Sequence, residues 1–158
     1  MVRQFQYVVW VLVFLAACAT QAPLPPDARP GLAAHWVKSD GNYDWPPDSG
    51  FAAPPTHETL PPDTLLDRFG SPRGRFLSPE GASYDSRALP YACTLEIKQY
   101  HVYETVKPLS VSAGKAAPWF DEPGGAIQYM TDESVQQLLD EHALIEPQPQ
   151  PAAPSCAN

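Results

Sequence analysis

Apolar residues are continuous at the start of this chain and periodic further on. Residues 5–17 read Phe-Gln-Tyr-Val-Val-Trp-Val-Leu-Val-Phe-Leu-Ala-Ala behind a single basic residue, Arg3. The run is shorter than the ~20 residues a spanning helix needs, so it predicts an export signal over residues 1–17. From Glu96 to Val106 the pattern alternates, with Ile97, Gln99, His101 and Tyr103 on one face and Lys98, Tyr100 and Val102 on the other. Period two with β-formers predicts a strand, and Leu109-Ser110-Val111-Ser112-Ala113, between Pro108 and Gly114, predicts the next. Helical spacing is clear at Val135, Leu138, Leu139 and His142, with Thr131 or Asp132 as the capping residue. Ala143-Leu144-Ile145 predicts a short last strand before Pro147 ends order. Short strands and one late helix predict an α+β domain of mainly antiparallel sheet.

Composition sets the boundaries. The chain has 158 residues and 20 prolines, crowded into 23–62 and 147–154, where they do not fit helix interiors or central strands. This predicts a Pro-rich disordered tether at 18–41, one domain at 42–146 and a disordered tail at 147–158. Leu15-Ala16-Ala17-Cys18 has the form of a bacterial lipobox, which predicts lipidation at Cys18 and a membrane-anchored lipoprotein at the cell envelope or surface. Ordinary cleavage after Ala19 or Ala22, giving a secreted protein, is the alternative. Cys93 and Cys156 remain as a disulfide pair or as two free thiols, and sequence alone does not decide between them. The four histidines are scattered and no Cys-x-x-Cys occurs, so no metal site is expected.

The net charge of -8 argues against nucleic acid as a partner. Arg68, Arg73, Arg75 and Arg87 nevertheless place four of the ten basic residues in one window. Such a patch suits a small anion such as a dinucleotide pyrophosphate, because arginine offers phosphate a planar fork of donors. The plainer reading pairs them with Asp67, Glu80 and Asp85 on a solvated face. Gly-x-Gly-x-x-Gly, a phosphate-loop Gly-Lys-Ser/Thr and Gly-x-Ser-x-Gly are all absent, which removes a Rossmann site, a P-loop and a serine hydrolase of the α/β type.

An ordered series of motifs remains: L-D-R-F-G-S at 66–71, G-R-F-L-S-P-E-G at 74–81, R-A-L-P at 87–90, Y-H-V-Y-E at 100–104, K-P-L at 107–109, and A-P-W-F with P-G-G and Q-Y at 117–129. Together they resemble the tuberculosis necrotizing toxin domain, a family of secreted or surface NAD glycohydrolases that includes fungal members. The resemblance runs from about Trp45 to Ile145. It implies an ADP-ribosyltransferase-like cleft with NAD+ as substrate, NADP+ left open, and no prosthetic group. It further implies that Arg68 contacts the phosphates, that Arg87 is a second anionic-group or site-organising contact, and that Phe69, Phe76, Trp119 and Phe120 bind substrate. Gln128, beyond the Gly124-Gly125 turn, would reach the nicotinamide–ribose bond, and His101 sits in the family's Y-H-x-Y segment as a third catalytic candidate beside Gln128 and Arg68. A cognate inhibitor protein is left open.

The chemistry fits these residue types. Cleaving NAD+ releases a neutral nicotinamide, so no general acid is required; an oxocarbenium-like ribose must be positioned and kept from bulk solvent. Asp121-Glu122 departs from the family pattern and adds negative charge, which keeps a catalytically silent ligand-binding lipoprotein as one alternative. Protein ADP-ribosylation is another, although the Glu-x-Glu or Gln-x-Glu triplet that would activate an acceptor is missing.

Overall fold

The computed structural model describes residues 23–156; the export signal and Cys18 lie outside the described residues. Seven strands form one sheet: β1 (Thr56–Leu60), β2 (Leu65–Phe69), β3 (Phe76–Pro79), β4 (Tyr100–Thr105), β5 (Leu109–Lys115), β6 (Ile127–Met130) and β7 (Leu144–Ile145). Their order is β1-β5-β6-β3-β2-β4-β7, and every pairing is antiparallel. Among the described residues two α-helices accompany the sheet, the short α1 (Cys93–Glu96) and α2 (Val135–Asp140). The α+β, mainly antiparallel class expected from the hydrophobic pattern is therefore the class found.

On β5 the alternation is literal, with Leu109, Val111 and Ala113 buried between more exposed neighbours. They join Leu60, Leu66, Leu77, Tyr103, Val135 and Leu138 in the main core. The helix is shorter than its apolar stripe suggested. Its cap is Ser134, whose hydroxyl accepts from the Gln137 N–H at 3.2 Å while Gln137 Oε1 accepts from the Ser134 N–H at 3.1 Å. This reciprocal capping box satisfies donors at the helix start and displaces the expected caps. Thr131 is instead buried against the Arg75 and Glu133 carbonyls, and His142 lies past the helix at φ +53°.

The strand expected from Glu96 begins only at Tyr100, because residues 93–99 coil through α1 and a 3-10 turn, Ile97–Gln99. Leu95, Glu96, Lys98 and Gln99 are good helix formers, and three alternating positions were too few to outweigh them.

Over their described residues, 23–41 and 147–156, both Pro-rich flanks differ from the expected disordered tether and tail. Leu32, Val37 and Tyr43 are buried with Phe120 in a second core, and Ala28 bridges to Tyr91, so ordered chain starts well before residue 42. At the other end the Gln150 side chain bonds the Val102 N–H (2.8 Å) and C=O (3.2 Å), taking the place of a strand neighbour. Cys156 is disulfide-bonded to Cys93 at the start of α1. A few apolar anchors and a cross-link order segments whose composition carries no period.

Candidate active site

The sheet leaves a cavity of 620 Å³ where β2, β3 and β6 meet α1 and the 45–50 loop. Arg68 lies on its wall. The guanidinium is held by donation from Nε to the Ser71 carbonyl and from Nη1 to the Phe76 carbonyl, both at 2.8 Å. A Cβ at Gly74 would stand 2.0 Å from Nη2, so a larger residue there would push the fork out of this position. Among the described residues Arg68 has no salt bridge. Burial lowers its pKa from the ordinary arginine value, partly offset by Tyr103 and Glu96. A charged fork oriented by backbone carbonyls, with the Nη2 donors uncommitted among the described residues, is a preorganised anion contact.

Arg87 is engaged differently. Its Nη2 lies 2.7 Å from Asp67 Oδ1 and donates to Asp67 Oδ2 at 2.9 Å and to the Ala82 carbonyl at 2.7 Å. The guanidinium also sits 4.9 Å over the Phe69 ring. Asp67 is fully buried, and its Oδ2 accepts from Gly81 N–H and Tyr100 hydroxyl as well, each at 2.9 Å. Oδ1 has the ion contact but no hydrogen bond of good geometry. Desolvation raises the Asp67 pKa, and Arg87 is the main opposing influence. The Arg87–Asp67 pair therefore organises the wall beneath Phe69 and leaves Nη1 as its uncommitted guanidinium nitrogen among the described residues.

Gln128 lies on β6 opposite Gly114 of β5 and also faces the cavity. Its Nε2 donates to the Ser49 carbonyl at 2.9 Å, while Oε1 has no hydrogen-bond partner among the described residues. The loop that holds it is unusual: Asp48, Ser49 and Gly50 are all left-handed, at φ +53°, +56° and +78°. Non-glycine residues adopt this region at a cost, and such strain tends to collect at functional sites. Gly124, at φ +63°, is required by close approach, since a Cβ there would lie 2.6 Å from the Ala117 carbonyl oxygen. The Gly124-Gly125 turn thus sets the entry to β6, and the 48–50 loop fixes the amide.

Residues 59–146 match the family model described as tuberculosis necrotizing toxin. The chain belongs to this family. It is 39% identical over 119 residues to the conidial surface nicotinamide adenine dinucleotide glycohydrolase of Aspergillus fumigatus, covering 68% of this chain and 51% of that protein. The chain thus matches about half the length of that curated relative. The solved tuberculosis necrotizing toxin, complexed with its immunity factor, superposes with a TM-score of 0.56 at 24% identity, over 70% of this chain and 65% of that one. That likeness is one of fold.

In this member of the tuberculosis necrotizing toxin family, Arg68, Phe69, Phe76, Arg87 and Gln128 share the cavity. His101, Trp119 and Phe120 do not line it. His101 Nδ1 lies 3.2 Å from Glu146 Oε1, and the ring stacks on Tyr103. Trp119 donates from Nε1 to the Asp44 carbonyl at 2.6 Å, and Phe120 is fully buried against Trp36, Tyr43 and Trp45. Their aromatic spacing reads as a binding surface in sequence because a core contributed by residues 32–45 is not visible from residues 117–120. The acidic pair Asp121-Glu122 is met by Arg29, which lies 3.8 Å and 3.1 Å from the two carboxylates and also binds the Phe120 carbonyl. Arg73 and Arg75 are outside the cavity lining, so the basic window does not converge as a whole. The lining residues that the sequence reading did not name as site residues include Asp27, Trp45, Tyr91 and Glu96. Only Trp45 carried a signal, its close spacing to Tyr43.

Proposed function

We propose that this chain hydrolyses the N-glycosidic bond between nicotinamide and ribose in NAD+, as an exported toxin or surface NADase. The observation that carries the reading is the convergence of Arg68, Phe76 and Gln128, from three different strands, on one cavity in which the Arg68 fork has no acidic partner at salt-bridge distance among the described residues. The fork takes the pyrophosphate and Phe76, 36% exposed at the cavity wall, offers a face for stacking. Gln128 presents a free Oε1 to the scissile end, where a neutral amide orients ribose without taking a proton. The leaving nicotinamide is neutral, so the chain supplies position and partial desolvation rather than an acid. Similarity to a surface NAD glycohydrolase supports this reading. Incubating the full chain with NAD+ and measuring free nicotinamide tests it; no release above a heat-inactivated control would end the proposal.

Two expectations accompany this reading. Gln128→Ala should lower kcat by about 100-fold with KM moved by less than about threefold, because an interaction used mainly in the transition state is lost. Steady-state rates beside calorimetric NAD+ affinity check this, and equal losses in binding and rate would make Gln128 a ground-state contact. The mature protein should begin at a lipidated Cys18 and partition into detergent, given Leu15-Ala16-Ala17-Cys18 behind an apolar run of signal length. Intact mass of the native N-terminal peptide decides it; an unmodified terminus after Ala19 or Ala22 would mean secretion without an anchor. The solved relative is bound to an immunity factor, which supports a cognate protein inhibitor here as well.

A further inference from the structure

The cavity is electrostatically lopsided. Gln128 and Phe76 lie toward β3 and β6, whereas Asp27 and Glu96 contribute two carboxylates to the wall formed by α1 and the N-terminal segment. Glu96 has no salt bridge or side-chain hydrogen bond among the described residues, and its Oε2 would lie 3.4 Å from a Cβ placed on Gly70. Asp27 accepts the Tyr43 hydroxyl at 2.7 Å through Oδ1. Burial raises the Glu96 pKa, Arg68 opposes this, and the nearby Asp27 carboxylate raises it further. Glu96 ends a helix whose first residue, Cys93, is cross-linked to Cys156, so the carboxylate is carried on a fixed mount.

We propose that Glu96, assisted by Asp27, makes this site selective for NAD+ over NADP+ by facing the adenosine ribose. This rests on the reading above, in which Arg68 holds the pyrophosphate and Gln128 the nicotinamide ribose. The adenosine half then extends past Arg68 toward α1. A ribose diol donates hydrogen bonds to a carboxylate, the same recognition by which an acidic side chain reads an unmodified 2′-hydroxyl in other dinucleotide folds. A 2′-phosphate would instead place about two negative charges beside Glu96 and Asp27. No arginine of the cavity lining is wholly free to compensate, Arg87 keeping only Nη1 uncommitted among the described residues. Arg68 is committed to the pyrophosphate, Arg87 is locked to Asp67, and Arg73 and Arg75 do not line the cavity.

The experiment compares kcat/KM for NAD+ and NADP+ on the full chain and on Glu96→Gln and Asp27→Asn. The wild-type protein should favour NAD+ by about 100-fold, since a 2′-phosphate would appose like charges in a partly desolvated site. Glu96→Gln should raise NADP+ turnover by about tenfold in kcat/KM while NAD+ loses through KM, and Asp27→Asn should move the ratio the same way by less. A gain on one dinucleotide is a result that misfolding does not produce. Equal use of both dinucleotides by the wild type would overturn the proposal. So would equal kcat losses on both in Glu96→Gln, which would put that carboxylate at the nicotinamide ribose. If neither dinucleotide is hydrolysed, the functional reading fails separately. Calorimetry of ADP-ribose against its 2′-phosphorylated form then still measures the discrimination, and equal affinities would overturn it.

Discussion

Arg68→Ala should reduce kcat/KM for NAD+ by about three orders of magnitude, since it removes the fork assigned to the pyrophosphate from a partly desolvated cavity. The expected result for Arg68→Lys is nearly as severe. Lysine keeps a charge, but it cannot hold the Ser71 and Phe76 carbonyls at the same time as it binds phosphate. Loss of these two bonds frees the 71–76 turn, so Phe76 should lose its fixed position as well. Gly74→Ala offers a second test that keeps Arg68 in the sequence but moves its fork, because the added methyl would stand 2.0 Å from Nη2 and must displace the guanidinium. Steady-state kinetics with a thermal melt of each variant separates the effects. Wild-type turnover by a folded Arg68→Ala protein would remove Arg68 from the site.

The largest stability effect is expected at Arg87. Arg87→Met leaves the fully buried Asp67 without its cation, and breaking a buried pair from one side costs about 3–5 kcal/mol. The sign of the pH dependence follows from Asp67. Its folded pKa already lies above the ordinary carboxylate value through burial, and Arg87 is the main influence holding it down. In the variant the folded-state pKa rises further while the unfolded value is unchanged, so the folded state binds a proton that the unfolded chain releases. The penalty should therefore be fully present above the folded pKa and shrink as pH falls through it toward the unfolded pKa. Urea unfolding at neutral and acidic pH measures this. Adding Asp67→Asn should recover part of the loss at neutral pH, since a neutral amide oxygen still accepts from Gly81 and Tyr100. A single variant with unchanged stability at neutral pH would show that the pair is not needed to hold the wall under Phe69.

Part of the cavity lining was legible because these residues lie in short contiguous motifs. Arg68, Phe69, Phe76, Arg87 and Gln128 come from segments matched to one family, and all five reach the cavity. Phe120 and Trp119 belong to the same kind of motif and do not, because their partners are Trp36, Tyr43, Trp45 and Asp44 from the N-terminal segment. The strand β2 was missed as a strand for a related reason. Its Leu66-Asp67-Arg68-Phe69 pattern does not alternate apolar with polar, since Asp67 is as buried as Leu66 and Arg68 is half-buried beside them. Sequence periodicity assumes that buried means apolar, and a charge neutralised by a distant arginine breaks that assumption.

The sequence by itself determined the α+β class, the strand β5, the helix α2 within a few residues, and the family to which the chain belongs. These depend on local periodicity and on contiguous motifs, which survive when the chain is written out in one dimension. Only the tertiary structure decided that Cys93 meets Cys156 and that Arg29 neutralises Asp121 and Glu122. It also decided that Asp27 and Glu96 face the same cavity as Arg68. Each of these joins residues far apart in sequence, where neither partner carries a local mark of the other, and the packing of the N-terminal segment, α1 and the C-terminal tail around the sheet is what brings them together.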